Sequence, residues 1–157
     1  MPYRLFVRWA MLASFPVACL TLGCSQANPE APVVPVAGKV LFEGKPLGRG
    51  VITFMPRAGG PSAQGTIQQG AITDVVTVSD ISRRSGLVAG EHQVTIRAGA
   101  GSLDGDIGMR EHIPDVYNSI QKSPLSVVIG PESDNAFEFQ LTMDPASANV
   151  VALGQDP

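Results

Sequence analysis

The alternation of apolar and polar positions along most of the chain predicts short β-strands. In the stretch 91–97, His92, Val94 and Ile96 alternate with polar residues, which predicts a strand with one buried face and one hydrated face. Gly and Pro together supply 30 of the 157 residues and fall between short β-branched runs. That spacing is typical of a β-sandwich or barrel. No stretch of ten or more residues has the apolar spacing of an amphipathic helix, so we predict an all-β domain.

Seven antiparallel strands are predicted from this pattern and from the turns that separate its segments. They span residues 34–42, 51–55, 63–68, 71–78, 91–97, 124–129 and 136–142. We expect Ile52, Phe54 and Phe139 to point into the core. The last two strands are expected to pair with each other. Between the strands, we expect a charged connection at 79–86 and a long loop at 98–111.

The N-terminal segment differs from the rest of the chain because it is one apolar run behind positive charges. Arg4 and Arg8 precede the apolar stretch 9–22, whose 14 residues are fewer than the roughly 20 that cross a bilayer as a helix. This layout is typical of a secretory signal peptide. The run closes with Leu20-Thr21-Leu22-Gly23-Cys24, which resembles the lipobox of bacterial lipoproteins, with threonine where leucine is usual.

The lipobox resemblance implies that a peptidase cuts between Gly23 and Cys24 and that Cys24 carries a diacylglyceryl group. The acyl chains of such a cysteine supply the two membrane signals that stable anchoring needs. Ser25 favours the outer membrane over the inner one. Two alternatives stay open: an ordinary secretory signal cleaved near Gly23 or Ala27, and a retained membrane anchor.

The sequence therefore predicts four parts and an acidic mature chain. The parts are a signal peptide at 1–23, a proline-rich linker at 24–34, a β-sandwich domain at 35–143 and a flexible tail at 144–157. Loss of Arg4 and Arg8 with the signal peptide takes the formal net charge from −3 to −5, which argues against nucleic acid as a partner. Both cysteines, Cys19 and Cys24, lie in the targeting segment, so we expect the domain to fold without disulfides.

Several stretches of the domain resemble the carboxypeptidase-regulatory-like domains of small bacterial lipoproteins. The matching stretches are 36–47, 50–54, 89–94, 113–118, 123–125 and 137–141. The resemblance covers about residues 35–142 and implies a transthyretin-like sandwich of about seven strands. It implies little about function. At the middle turn, residues 68–72 keep the family's glycine as Gly70 but lose its acidic and aromatic residues.

The candidate site residues lie on loops rather than in a catalytic motif. His92 fits a buried strand position. His112 with Asp115, or Asp104 with Asp106, suggests a metal site at first sight. Zinc favours His and Cys ligands, and a calcium loop needs more oxygen ligands at closer spacing. We therefore expect no metal and no cofactor.

The long loop is the expected contact surface for a partner, since binding residues favour loops on a rigid scaffold. Its candidate contact residues are Asp104, Asp106, Arg110, Glu111 and His112. The expected partners are the membrane, through lipidated Cys24, and an envelope protein or polymer. The expected location is the periplasmic side of the cell envelope.

The function indicated by these features is that of a lipid-anchored binding or scaffolding protein without catalytic activity. One alternative is a carbohydrate-binding accessory domain, although the aromatic residues outside the signal peptide fit core positions. A hydrolase is a more remote alternative, because the chain has no Gly-x-Ser-x-Gly elbow and no phosphate loop.

Overall fold

The computed structural model describes residues 31–80, 82–99, 112–131 and 135–153. These residues form twelve β-strands and two short 3₁₀ helices, so the all-β prediction is confirmed. The strands are β1 (Val33–Val34), β2 (Val36–Phe42), β3 (Lys45–Pro46), β4 (Arg49–Pro56), β5 (Ala63–Gln68), β6 (Ala71–Val78), β7 (Arg83–Ser85), β8 (Leu87–Val88), β9 (Gly90–Ala98), β10 (Ser126–Ile129), β11 (Asn135–Leu141) and β12 (Asn149–Leu153). The 3₁₀ helices are η1 (Asp115–Asn118) and η2 (Pro145–Ser147).

Ten of these strands belong to one hydrogen-bonded sheet. Its strand order is β10-β9-β4-β5-β6-β2-β11-β12, with β3 paired to β2 and β7 paired to β6. Strands β1 and β8 form a separate two-stranded ribbon. The pairs are antiparallel except for β2 and β11, which run parallel over seven residue pairs.

The sheet folds back on itself and encloses the core. Strands β4 and β11 are four positions apart in the strand order, which would separate them by about 19 Å in a flat sheet. The rings of Phe54 on β4 and Phe139 on β11 nevertheless meet edge to face, with centroids 6.4 Å apart. The two halves of the sheet therefore face each other, as in a sandwich or a nearly closed barrel.

The core is built from alternate residues of the long strands. Ile52, Phe54 and Phe139 are fully buried, as predicted. His92, Val94 and Ile96 are buried on β9, whereas Glu91 and Arg97 are exposed. The period of two seen in the sequence is therefore the period of burial in the fold.

Two hairpin turns use left-handed backbone conformations. Glu43 and Gly44 have φ angles of 50° and 73°, and Gln69 and Gly70 have φ angles of 48° and 82°. Two consecutive residues with positive φ form the turn type that suits a two-residue hairpin, with glycine as the easier second residue. Glycine occupies this second position in both turns, as Gly44 and Gly70.

The predicted pairing of the last two strands is wrong. Strand β10 pairs with β9, and β11 pairs with β2 and β12, so the connection between β10 and β11 crosses from one edge of the sheet to the other half. The side chain of Asn135 closes this crossing. It accepts a hydrogen bond from the Gly130 N–H and donates one to the Gly130 carbonyl, both at 3.0 Å. The alternation of apolar and polar residues does not reveal this crossing, because β10 and β11 alternate in the same way.

The expectation of a flexible tail from residue 144 onwards is also wrong for most of its length. Strand β12 pairs with β11 over five residue pairs, and Val150 packs against the core. Asp144 makes this possible because its side chain accepts a hydrogen bond from the Ala146 N–H at 3.1 Å. The capped turn reverses the chain and returns it to the sheet.

Three further boundaries differ from the predictions. The expected connection at 79–86 contains β7, which pairs with β6 over three residue pairs. The expected linker at 24–34 ends in β1, which pairs with β8. Pro35 separates β1 from β2 because proline has no N–H for a ladder hydrogen bond, so the first predicted strand is divided in two.

Candidate functional site

The strand directions give the domain two distinct ends. We call the end where residue 31 joins the domain the proximal end. It carries the connections 56–63, 78–90 and 129–135, because the strands that border them start or stop there. The opposite end, which we call the distal end, carries the turn at 43–44 and both junctions, Gly99 and His112, of the segment 100–111.

The distal end is joined by backbone hydrogen bonds between neighbouring turns. The N–H of Gly99 donates to the Arg49 carbonyl at 2.9 Å, and the N–H of Gln69 donates to the Gly48 carbonyl at 2.7 Å. The N–H of Glu43 donates to the Leu141 carbonyl at 2.9 Å. These bonds make the distal turns one connected surface. They also fix the position of Gly99, where the segment 100–111 begins.

Tyr117 fastens η1 to this surface from inside. Its side chain is fully buried. Its hydroxyl donates to the Thr142 carbonyl at 2.8 Å and accepts from the Thr142 N–H at 3.1 Å. Its ring belongs to the hydrophobic core of the domain. Since Tyr117 joins η1 to the end of β11, it holds the distal end together.

A shallow groove lies between η1 and the end of β9. It encloses about 150 Å³ and is lined mainly by Ile96, Arg97, His112, Ile113 and Asp115. Ile96 and Ile113 form its buried floor, and the charged side chains stand at its rim. The groove is large enough for a small polar group rather than for a whole metabolite.

The loop candidates fall only partly within the part of the chain that the structure describes. His112 is exposed at the rim of the groove. Its neighbour in the groove, Arg97, donates from Nε to the Asn118 side-chain oxygen at 3.1 Å. Asp104, Asp106, Arg110 and Glu111 lie outside the described residues, as do Gly23 and Cys24. Arg97 and Asn118 are groove residues that the sequence reasoning did not single out, because each is an ordinary polar residue in its own segment.

His92 is a buried residue with a structural environment. It is 1% exposed, and its Nδ1 lies 3.0 Å from the Gly90 carbonyl. A carbonyl only accepts hydrogen bonds, so Nδ1 carries the proton there. Burial lowers the pKa of His92 below 6.5 because the charged ring loses hydration, and the hydrogen bond to Gly90 opposes part of this effect. The prediction of a strand histidine facing inward is confirmed.

The polar face of β9 holds the segment before β10. Gln93 donates from Nε2 to the carbonyls of Ser123 and Leu125, at 2.7 and 3.0 Å. Ser123 donates from Oγ to the Val94 carbonyl at 2.6 Å. The face that the sequence predicted to be hydrated is therefore used in part for packing, and these residues serve the fold.

No group of three His, Cys, Asp or Glu side chains is arranged to hold a metal ion in the described ranges. In the same ranges, no helix has the length and apolar character to span a membrane.

Comparisons with known proteins give no assignment. No family model, curated protein or solved structure matches the chain. The fold and the described residues therefore define an all-β domain with two distinct ends. The comparisons show neither a family nor a function for the chain.

Proposed function

We propose that the protein is a lipid-anchored β-sandwich of the bacterial cell envelope that binds or scaffolds another envelope component. The observation that carries the proposal is the sequence Leu20-Thr21-Leu22-Gly23-Cys24 at the end of a signal-like apolar run. Cys24 is the lipidation site, and cleavage falls between Gly23 and Cys24. Ser25 directs the mature protein to the outer membrane, on its periplasmic side.

The distribution of cysteines supports this anchoring. Cys19 and Cys24 are the two cysteines of the chain, and both precede the domain. Acylation of Cys24 therefore changes no side chain that the domain uses for folding. An exported protein with one unmodified cysteine would carry a reactive thiol, whereas a thioether to lipid removes that thiol.

We further propose that the domain is a transthyretin-like sandwich of the carboxypeptidase-regulatory type. The supporting features are the order of the matching segments from 36–47 to 137–141 and the mixed, folded sheet around one core. The strands differ from a simple seven-stranded arrangement by the short strands β3, β7 and β12 and by the β1–β8 ribbon. These additions extend such a sandwich, and Leu87 of β8 contributes to its core.

Binding at the distal end is favoured over catalysis and over sugar recognition. The distal end presents the junctions of the long segment 100–111 beside the groove, with Arg97, His112 and Asp115 at the rim. Sugar sites generally use exposed aromatic side chains. Four of the five aromatic residues in the described ranges are buried, and Phe42 is packed partly against the core.

Anchoring is tested by cell fractionation of wild type and two cysteine variants. Cys24→Ala removes the acylated thiol and is expected to move the protein from the membrane fraction or to block its processing. Cys19→Ala is the matched control, because Cys19 is removed with the signal peptide and the variant should stay membrane-bound. Membrane association of Cys24→Ala with normal processing would contradict lipidation.

Binding is tested by crosslinking in intact cells. A tagged wild-type chain is compared with Cys24→Ala, and captured proteins and glycan fragments are identified by mass spectrometry. We expect a discrete partner with the wild type that is reduced or lost with Cys24→Ala. A chain that captures nothing in either form would contradict the binding role and would favour passive envelope structure.

A further inference from the structure

The point at which the N-terminal segment meets the domain is fixed by two sets of contacts. Strand β1 pairs with β8, with Val33 opposite Val88 and Val34 opposite Leu87. Just before β1, the carbonyl of Ala31 accepts a hydrogen bond from Arg84 at 2.7 Å. The chain is therefore attached to the domain from residue 31, although β2 begins five residues later. We call this arrangement the β1–β8 clip.

Gly86 makes the clip possible. Its N–H donates to the Val75 carbonyl at 2.8 Å, and its carbonyl accepts from the Thr77 hydroxyl at 2.6 Å. Its φ angle is +112°, and an added Cβ would lie 2.8 Å from the carbonyl carbon of Val34 and closer still to the oxygen. A side chain at position 86 would therefore collide with β1, and the backbone conformation already favours glycine.

The clip also fixes the end of the domain at which the N-terminal segment is attached, and with it how far that segment can extend. It lies at the proximal end, beside the ends of β6 and β9 that carry the connections 78–90. The seven residue-to-residue steps from Cys24 to Ala31 span at most about 25 Å when fully extended. Strand β2, with seven residues, is about 23 Å long. With the clip in place, the distal end could therefore meet the bilayer only if the segment from Cys24 were almost fully extended.

We infer that the β1–β8 clip orients the domain on the membrane. The proximal end faces the lipid surface, and the distal end, with the groove beside Arg97 and His112, faces away from it towards soluble or wall-bound partners. This orientation rests on the proposed lipidation of Cys24. Without the clip, the attachment point would move to residue 36, and the free segment would reach about 40 Å, enough to let either end meet the bilayer.

Orientation is measured by fluorescence quenching in vesicles that contain lipids with a spin-labelled head group. The acylated Cys24 has no free thiol, so a single added cysteine takes the fluorophore selectively. Ala58→Cys labels the proximal turn and Lys45→Cys labels the distal end, and both positions are exposed. We expect at least twofold stronger quenching at position 58 than at position 45.

The contribution of the clip is measured with Gly86→Ala and its matched control Gly60→Ala. Gly60 has a φ angle of +111°, almost that of Gly86, but an added Cβ there would meet nothing within 4 Å. Gly86→Ala is expected to make the quenching at positions 58 and 45 similar, whereas Gly60→Ala should keep the difference. Arg84→Gln, which removes the contact with Ala31, should reduce the difference in part.

A second readout needs no membrane. In the mature chain with Cys24→Ala, hydrogen exchange of the segment 31–35 should be slow and should accelerate about tenfold or more in Gly86→Ala but not in Gly60→Ala. Equal exchange in the two glycine variants would overturn the clip.

The vesicle experiment distinguishes a failure of the proposed orientation from a failure of the proposed anchoring. A wild-type chain that floats with vesicles but shows equal or reversed quenching at the two positions would overturn the orientation and leave the anchoring intact. A wild-type chain that does not float would contradict the anchoring itself, and the orientation with it.

Discussion

The two ends of the sandwich are held together in different ways. At the distal end, turns from several strands are joined to one another by backbone hydrogen bonds, and Tyr117 fastens η1 to the end of β11. At the proximal end, the chain that leads in from the N-terminus is held by the short ribbon β1–β8 and by Gly86. The distal turns are thus joined to one another, whereas the attachment of the N-terminal segment at the proximal end depends on the close backbone approach at Gly86.

The largest expected effect is at Tyr117, where packing and hydrogen bonding coincide. Tyr117→Ala should lower the free energy of unfolding by about 3–5 kcal/mol, because a large buried ring is lost and a cavity remains. Tyr117→Phe keeps the ring but leaves the partly buried backbone groups of Thr142 without the hydroxyl, which should cost about 1–3 kcal/mol. Urea unfolding measures both values. Equal losses for the two variants would show that the ring contributes nothing by packing.

Gly86→Ala tests the close approach of β1 at the proximal end. Gly60→Ala is its control, because Gly60 has almost the same φ angle. Gly60→Ala should cost about 1–2 kcal/mol, the penalty of a left-handed conformation for a residue with a Cβ. Gly86→Ala should cost more, because it adds the collision with Val34. Thermal unfolding of the two variants side by side gives the difference. A smaller loss for Gly86→Ala than for Gly60→Ala would contradict the close approach of β1.

His92 gives the fold a dependence on pH. Since burial lowers its pKa in the folded state below 6.5, the unfolded chain binds a proton at a higher pH than the folded chain. The stabilisation is complete above pH 6.5 and is lost as the pH falls through 6.5 towards the lower folded pKa. Unfolding curves between pH 7.5 and 5.5 should show this loss.

His112 supplies the control for that measurement because it is exposed. His112→Gln should keep the pH dependence, whereas His92→Gln should flatten it in this range. A wild-type chain whose stability does not change between pH 7.5 and 5.5 would refute the effect of burial on His92.

The smallest effect is expected at the ion pair of the proximal end. Nε of Arg57 lies 3.0 Å from Oε1 of Glu91, but each side chain is 52% exposed. Solvent therefore screens the attraction between the two charges. Glu91→Gln should change the free energy of unfolding by no more than about 1 kcal/mol. A loss well above that value in urea unfolding would show that the pair supports the turn after β4.

The core and the turns could be predicted because they depend on local sequence. The alternation in 91–97 gives the burial of His92, Val94 and Ile96, and Gly44 marks its left-handed turn. Strand pairing could not be predicted, because it depends on contacts between distant segments. Nothing in the sequence of 124–142 shows whether β11 pairs antiparallel with β10, as predicted, or parallel with β2, as the structure has it.

The short elements at the edges were missed for a related reason. Strands β1, β7, β8 and β12 have between two and five residues, too few to show a period. The groove was missed because Arg97 and Asn118 lie 21 positions apart in the chain, and only the fold brings them together. Gly86 carried a usable signal, since a glycine in a charged connection often marks a close backbone approach.

The most direct test of the anchoring is the intact mass of the protein purified from membranes. The account predicts a chain that begins at Cys24 and carries the added mass of two or three acyl chains, with the same mass in Cys19→Ala. A chain that begins after Gly23 or near Ala27 without added mass would contradict the anchoring and would identify an ordinary secreted protein.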